Sequence, residues 1–180
     1  NSLFSANNDD DAAMQEEVEI CKALWAAGAN NKISYEGKHY QINQAHIGAP
    51  IFQDPHPKFY LGGGSEEASE LSAKHSDVHL FWGDTVERIS ENMIDIRKRA
   101  AKHGRENKIG FGMRLQIICR ETEAEAWEVA EGLIRNVTDA FKEEVRVMYS
   151  NSVANQRVRQ LHAEYGKKMG KHMWTGLTQA

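Results

Sequence analysis

The order of the apolar segments after residue 57 constrains the fold more than any other feature of this sequence. Three segments are predicted as strands, Lys58–Leu61, Val78–Trp82 and Ile109–Cys119, and each is followed by apolar residues at helical spacing. Such alternation is typical of parallel strands joined by right-handed helical crossovers. The third helix, which begins in a capping box at Thr122, is predicted to run without a break to Met148.

Segments of other kinds flank this alternating part, residues 58–148. Residues 1–57 predict a helix, a hairpin over Ile33–Ile42 and a connector that carries all three prolines. Residues 149–172 are polar and of mixed charge, which favours a mobile segment with partial helix, and residues 173–180 predict a terminal turn. Three strands are too few to close an eight-stranded barrel of roughly 250 residues. The 180-residue chain is therefore predicted as one domain, either an incomplete barrel or a small open sheet.

Composition argues against several classes of function. The chain has 22 basic and 26 acidic residues and a net charge of −4, which gives no basic footprint for nucleic acid. It has no apolar run of transmembrane length and no recognisable signal peptide, so we expect a cytoplasmic protein. Its two cysteines, Cys21 and Cys119, are far apart in the sequence and are expected to be free thiols.

The first candidate site is the glycine-rich turn after the first predicted strand. Gly62, Gly63 and Gly64 allow the backbone to approach a ligand closely, and Ser65 is a good N-cap for the helix that follows. The unpaired N–H groups at that helix end would stabilise an anion such as a flavin phosphate. A simple tight turn with a serine cap explains the same residues, so both interpretations stay open.

Two further candidates lie at the ends of the second and third strands. Trp82 is placed either to wall a pocket or to pack at the rim of a barrel. Arg114 and Gln116 are two residues apart and are predicted to share one face of a long strand. On an inward face the guanidinium would need an anion such as a sulfonate or carboxylate, whereas on an edge strand it would be solvated.

The histidines do not predict a metal centre. His75 and His79 are four residues apart, but a predicted junction between helix and strand separates them. No second pair of ligands accompanies them. We therefore expect no metal site.

Five motifs occur in this chain in the same order as in a known family. They are Tyr35–Tyr40, Pro55–Ser65, Trp82-Gly83, Phe111–Leu115 and Arg120–Trp127. Together they resemble the luciferase-like flavin monooxygenases of the alkanesulfonate monooxygenase branch. The similarity runs from about Tyr35 to Ile134 and resumes weakly over residues 151–162 and 174–176. The strand with Arg114 and the Arg-Glu-Thr stretch are the parts most specific to this branch.

The resemblance implies a (β/α)8 barrel of the TIM type, of which this chain covers only the later part and stops at a truncated end. It also implies a monooxygenase that uses O2 and reduced FMN, supplied by a separate flavin reductase, to oxidise a small organic substrate such as an alkanesulfonate. In that branch a C–S bond is broken to give an aldehyde and sulfite. A homo-oligomer is expected, with neither nucleic acid nor membrane as a partner.

The resemblance also assigns roles by position. Gly63, Gly64 and Ser65 match the flavin-phosphate turn, and Trp82 falls in the active-site wall. Arg114 matches an arginine that serves the substrate and the oxygenated flavin. Arg157 lies in a segment that resembles the mobile lid over the active site. Gln116 departs from the pattern, because sulfonate monooxygenases carry histidine there and glutamine does not titrate.

Two alternatives remain open. In the first, the chain is a non-catalytic barrel fragment that functions only within an assembly. This alternative follows from the missing early barrel strands, because an exposed parallel edge promotes association. Alternatively, the same fold would serve a deazaflavin-dependent oxidoreductase.

Overall fold

The structure is a computed structural model that describes residues 8–148, 153–171 and 173–176, with side chains described outside residues 8–11 and 153–158. The chain divides into two compact units. Unit 1 comprises Asn1–Phe81 and Ser90–Met113, and unit 2 comprises Trp82–Ile89 and Arg114–Ala180.

Unit 1 begins with a helix and a hairpin. Helix α1 (Asn8–Ala27) is followed by β1 (Ile33–Glu36) and β2 (Gln41–Ala45), which pair antiparallel as predicted. The Glu16 carboxylate of α1 accepts the three successive backbone N–H groups of the hairpin turn, those of Lys38, His39 and Tyr40, at 2.8, 3.0 and 2.9 Å. The hairpin is thereby fixed to the helix by a charge-assisted set of hydrogen bonds.

The sheet of unit 1 has the strand order β3-β4-β5. Strand β3 (Tyr60–Gly62) pairs parallel with β4 (Val78–Trp82), with Tyr60 opposite Val78, which confirms the predicted parallel βα unit. Strand β5 (Gly110–Arg114) lies on the other side of β4. Helix α2 (Glu66–His75) follows β3, and α3 (Val86–Ala101) follows β4.

The core of unit 1 lies between this sheet and its helices. Ile96 and Ala100 of α3 are 1% and 0% exposed, and Leu71 and Ala73 of α2 are also buried. Phe81 of β4 stacks on Phe111 of β5, with ring centroids 5.7 Å apart. Aromatic side chains therefore occupy one face of β4 and β5 within this core.

Unit 2 is mainly helical in its described part. It contains α4 (Glu123–Ile134), α5 (Asp139–Met148) and α6 (Val153–Tyr165), followed by the short antiparallel strands β6 (Lys168–Met169) and β7 (Met173–Trp174). The predicted capping box is confirmed: Thr122 Oγ1 accepts from the Glu125 N–H, and the Glu125 carboxylate accepts from the Thr122 N–H. The hairpin formed by β6 and β7 was not predicted.

Two predicted elements are wrong in length. The third strand ends at Arg114 and does not continue to Cys119, because no strand among the described residues pairs with residues 115–119. The single helix predicted from Thr122 to Met148 is two helices. The second of them starts anew because Thr138 Oγ1 accepts the Phe141 N–H at 3.2 Å, as an N-cap does.

Parts of the expected lid and terminal turn lie outside the described residues. These are residues 149–152, residue 172 and residues 177–180. The described part of the expected lid is helix α6 and the start of the β6–β7 hairpin.

Candidate active site

Ser65 is confirmed as the N-cap of α2. Its backbone is extended, with φ −83° and ψ 163°, and its Oγ accepts the Ala68 N–H at 3.0 Å. Since a serine hydroxyl both accepts and donates, its own proton stays available to a ligand in front of the helix. This donor set, the Ser65 hydroxyl together with backbone N–H groups at a positive helix end, fits a phosphate group.

Gly63 and Gly64 have different physical roles. A Cβ added to Gly63 would lie 2.5 Å from Ala68 Cβ, whereas one added to Gly64 would meet nothing within 4 Å. Gly63 is therefore required for close packing of the turn on α2. Gly64 leaves open space beside the backbone of the turn, as a site for a ligand requires.

Trp82 and Arg114, both in unit 2, are brought together at the ends of β4 and β5. The Arg114 Cζ lies 5.8 Å from the centroid of the Trp82 ring, within the range of a cation–π interaction. Both side chains are exposed, and Trp82 retains 60% of its accessible surface. Trp82 is therefore not packed in a core, and Arg114, although exposed, contacts the Trp82 ring. We describe the two residues together as the Trp82–Arg114 pair.

Within unit 1, alternation along β4 and β5 separates the two faces of the sheet. Along β4, His79 and Phe81 are buried on one face, and Val78 and Leu80 lie on the other. A Cβ on Gly112 of β5 would meet Leu80 Cδ2 at 2.8 Å, so Gly112 belongs to that second face.

The segment that follows Trp82 is closely packed in unit 2. A Cβ on Gly83 would lie 3.2 Å from Leu115 Cδ2 and 3.6 Å from the Met173 sulfur. The glycine thus lets the chain pass close to the residue after Arg114 and to the β6–β7 hairpin. The β6–β7 hairpin, which was not predicted from the sequence, therefore lies beside the Trp82–Arg114 pair.

The strand-face argument for Gln116 is wrong. Gln116 is exposed and lies beyond the end of β5, since strand pairing stops at Arg114. The apolar run around it does not enter a core either, because Leu115 and Ile117 are 50% and 84% exposed. Gln116 keeps only the role that the resemblance implies.

Sequence reasoning missed Arg88, which joins the start of α3 to the end of α6 within unit 2. Its Nη2 donates to both carboxylate oxygens of Glu164, at 2.9 and 2.8 Å, and its Cζ lies 5.6 Å from the Tyr165 ring. The hydrogen bond to Glu164 raises the pKa of Arg88. The spacing of Arg88 from Asp84, four residues, was the only local signal. Arg157 lies on the same helix α6, but its side chain is outside the described residues.

Ser65, in unit 1, and the Trp82–Arg114 pair, in unit 2, were expected to surround one flavin cavity, and this stays a prediction. An open cavity of about 390 Å³ in unit 2 is lined by the end of α4 together with Lys142, Lys167 and Gly176, and not by Trp82 or Arg114.

Among the described residues, no group of three His, Cys, Asp or Glu side chains is arranged to hold a metal ion. No described helix has the length and apolar character that crossing a membrane requires.

Comparison with known proteins identifies the class. The family model described as luciferase-like monooxygenase matches residues 5–178, and the chain belongs to that family.

Solved structures share the fold at low sequence identity. Long-chain alkane monooxygenase matches with a TM-score of 0.70 and 22% identity, over 98% of this chain and 43% of its own. Riboflavin lyase with modified FMN and riboflavin matches with a TM-score of 0.66 and 18% identity, over 73% of this chain and 34% of its own. EDTA monooxygenase from Chelativorans sp. BNC1 matches with a TM-score of 0.66 and 16% identity, over 91% of this chain and 39% of its own. The chain thus spans less than half the length of each of these proteins. They establish a luciferase-like α/β fold.

Proposed function

We propose that this chain belongs to a reduced-FMN-dependent monooxygenase that oxidises a small organosulfur compound, such as an alkanesulfonate, with O2. Membership of the luciferase-like monooxygenase family supports the class of reaction. Two of the similar structures are named as monooxygenases, and a third contains modified FMN. The observation that carries the substrate assignment is the exposed Arg114 guanidinium held against the Trp82 ring.

Arg114 has the chemistry to bind the sulfonate. Its planar fork of N–H donors matches two oxygens of a tetrahedral anion. The Arg114 Cζ lies 5.8 Å from the Trp82 ring centroid, so an anion bound to the guanidinium would lie beside the indole. Trp82, with 60% of its surface exposed, offers a flat apolar wall beside the bound anion. The proposed role of the pair is to orient the substrate, with the anion on Arg114 and the carbon chain along Trp82.

The turn at Gly63, Gly64 and Ser65 would hold the flavin phosphate. Reduced FMN, when bound, would supply the two electrons that the reaction of O2 requires. In the sulfonate reaction one oxygen atom of O2 enters the aldehyde, the other leaves as water, and the C–S bond breaks to release sulfite. A separate flavin reductase is the proposed source of reduced FMN, and a homo-oligomer is the proposed assembly. Arg157, on α6, is proposed to act at the substrate from the lid.

The test is flavin binding and turnover by the intact protein. Reduced FMN, reduced riboflavin and a reduced deazaflavin are titrated without oxygen, and alkanesulfonates of graded length are then supplied with O2 while sulfite is measured. We expect reduced FMN to bind most tightly and sulfite to appear only with O2. A neutral sulfone of matched length is the control, and it should be a poor substrate because it offers Arg114 no anion.

Failure would point to one of the alternatives. Tight binding of the deazaflavin alone would contradict the FMN assignment and favour a deazaflavin-dependent oxidoreductase. No flavin binding, together with self-association during size-exclusion chromatography, would favour a non-catalytic partner in an assembly. In the described sheet β3 has β4 as its one neighbour, and such an edge promotes that association.

A further inference from the structure

The open cavity of about 390 Å³ in unit 2 has a lining of its own, and none of its described lining residues has been assigned to the flavin or the substrate. The lining comes from the end of α4, the start of α5 and the base of the β6–β7 hairpin, and we call it the α4–hairpin cavity. Its charged members are Glu131, Arg135, Lys142 and Lys167. Three of them are cations and one is a carboxylate, so the lining carries an excess of positive charge.

The α4 side of the cavity and the hairpin are joined by two contacts. The Lys168 Nζ lies 4.1 Å from the centroid of the Trp127 ring of α4, in the range of a cation–π interaction. One helical turn further on, a carboxylate oxygen of Glu131 lies 3.6 Å from the Lys167 Nζ. At the base of the hairpin, the Thr175 N–H donates to the Lys167 carbonyl oxygen at 2.9 Å. The lining is therefore held in place before a ligand binds, which lowers the cost of binding.

The cations of the cavity keep donors for a ligand. The 3.6 Å between Lys167 and Glu131 is longer than a hydrogen bond, so this ion pair leaves the ammonium protons uncommitted. The Lys142 Nζ donates to Asp139 at 2.9 Å and has two further protons. Within the described part of the chain, the Arg135 side chain has no ion pair or hydrogen-bond partner. Cations with unused donors around one cavity provide the chemistry that binds an oxyanion.

The rest of the lining is bare backbone and apolar surface. Gly176 is buried, and a Cβ at this position would lie 2.2 Å from the Trp174 ring. Only glycine therefore lets the backbone of the cavity lie directly against the indole. Ile134 and Val137 add apolar side chains to the same lining. A ligand that matches this lining combines an oxyanion with a small apolar body.

We propose that the α4–hairpin cavity binds a small organic phosphate monoester. Arg135 and Lys167 hold its dianionic group, with Lys142 as the third cation, and its organic body lies along Ile134 and Val137. A dianion suits the site because three cations and one carboxylate line it, and attraction grows with the charge of the ligand. The inference goes beyond the proposed function, since it uses neither the glycine-rich turn nor the Trp82–Arg114 pair. Its failure would leave that function unaffected.

The experiment titrates the intact, isotope-labelled protein with phenyl phosphate at low ionic strength, where salt screens the charges least. The indole N–H resonance of Trp174 reports on the cavity, because a Cβ on Gly176 would lie 2.8 Å from the Trp174 Nε1. The resonance of Trp82 reports on the other anion site. We expect a saturable shift at Trp174. Inorganic phosphate, which has no apolar body, and benzenesulfonate, which has a single negative charge, should both bind there less tightly.

Substitutions of opposite effect test the role of charge. Arg135→Gln combined with Lys167→Gln should weaken phenyl phosphate binding about tenfold, because two ion pairs with the ligand are lost. Lys171→Gln is the matched control, since it removes the same charge from an exposed position of the same hairpin that is outside the cavity lining. It should change the affinity by no more than about twofold. Glu131→Gln removes the carboxylate of the lining and should strengthen binding about threefold.

Several results would overturn the assignment. A shift at Trp82 with none at Trp174 would place the phosphate monoester at the Trp82–Arg114 pair, and no shift at either would show that the cavity binds no such ligand. An equal loss in Lys171→Gln and in the double variant would reduce the effect to the net charge of the hairpin. If the double variant does not fold, Glu131→Gln decides the question, because unchanged or weaker binding in it contradicts the proposal.

Discussion

The glycine-rich turn in unit 1 and the Trp82–Arg114 pair in unit 2 are built by different means. The turn is fixed by backbone packing on Ala68 and by the Ser65 cap. The pair consists of two exposed side chains at strand ends, which contact each other through a cation–π interaction. A site of the first kind suits a group that is the same in every turnover, such as a cofactor phosphate. A site of the second kind can adjust to substrates that vary.

The largest expected effect tests the exposed pair. Arg114→Ala should lower kcat/KM for an alkanesulfonate by about 10- to 100-fold, because a hydrogen bond to a charged group contributes roughly 1.5–3 kcal/mol. Steady-state sulfite release measures this. Arg114→Lys, which keeps the charge but loses the planar fork, should lie between wild type and Arg114→Ala. An equal loss with a neutral sulfone would contradict the role of Arg114 in binding the anion.

A second prediction concerns the helix that carries the turn. His75 of α2 is 9% exposed, and burial, with the positive charges of Lys22 and Lys74, lowers its pKa from 6.5 to about 4. Between these two pH values the unfolded chain binds a proton that the folded protein does not. Stability therefore falls as pH drops from about 6.5 toward about 4. From pH 7.5 to pH 5 the free energy of unfolding should fall by about 2 kcal/mol through this group.

Denaturant unfolding at both pH values measures this loss, and His75→Gln is the control because glutamine does not titrate. The variant should show a flatter pH dependence over this range. An unchanged slope would mean that other groups cause the acid sensitivity of unit 1.

The next prediction separates the two glycines of the turn. Gly63→Ala should lower the free energy of unfolding by about 1–3 kcal/mol, since the new methyl group is forced against Ala68 in a packed region. Gly64→Ala is the matched control and should leave stability close to that of wild type. Urea denaturation followed by circular dichroism measures both. Equal destabilisation by the two substitutions would show that the whole turn, and not Gly63 alone, is sterically confined.

The smallest effect is expected at the contact between Arg88 and Glu164. Glu164→Gln keeps the shape of the side chain but removes the charge that raises the pKa of Arg88. Because the side chains of Arg88 and Glu164 retain 30% and 46% of their accessible surface, solvent screens the pair, and we expect a loss of stability smaller than that in either preceding prediction. A double-mutant cycle with Arg88→Gln measures the coupling. A coupling as large as the Gly63→Ala effect would mean that the two residues are shielded from solvent in the intact protein.

Local signals in the sequence predicted parts of both units. The Ser65 cap, the bounds of β4 and the capping box at Thr122 follow from residue types that interact within a few positions, and the structure confirms them. The over-long third strand came from the apolar run after Arg114, because β propensity cannot reveal whether a neighbouring strand is present to pair with it. Thr138 restarts a helix where apolar periodicity alone predicted continuity.

The partners that complete each region were beyond sequence reasoning. His79 was considered as a metal ligand, yet its side chain bonds Ser72 on a neighbouring element. Arg88 meets Glu164 across 76 positions of the chain. Such pairs depend on how elements pack, and a single sequence contains no record of that packing. The contact between Trp82 and Arg114 was more accessible to prediction, because topology alone brings the ends of neighbouring strands to one edge of a sheet.

The first turn of α2 also has a consequence for how the proposed site would respond to salt. Glu66 and Glu67 follow Ser65 in the first turn of α2. Arg99, whose pKa is raised mainly by its hydrogen bond to Asp95 and further by the charge of Glu66, offsets some of that negative charge. A phosphate arriving there would be held by short-range donors against a local repulsion. Added electrolyte screens that repulsion. The turn would therefore select a phosphate through hydrogen bonds at contact distance. It would not attract anions over a long range.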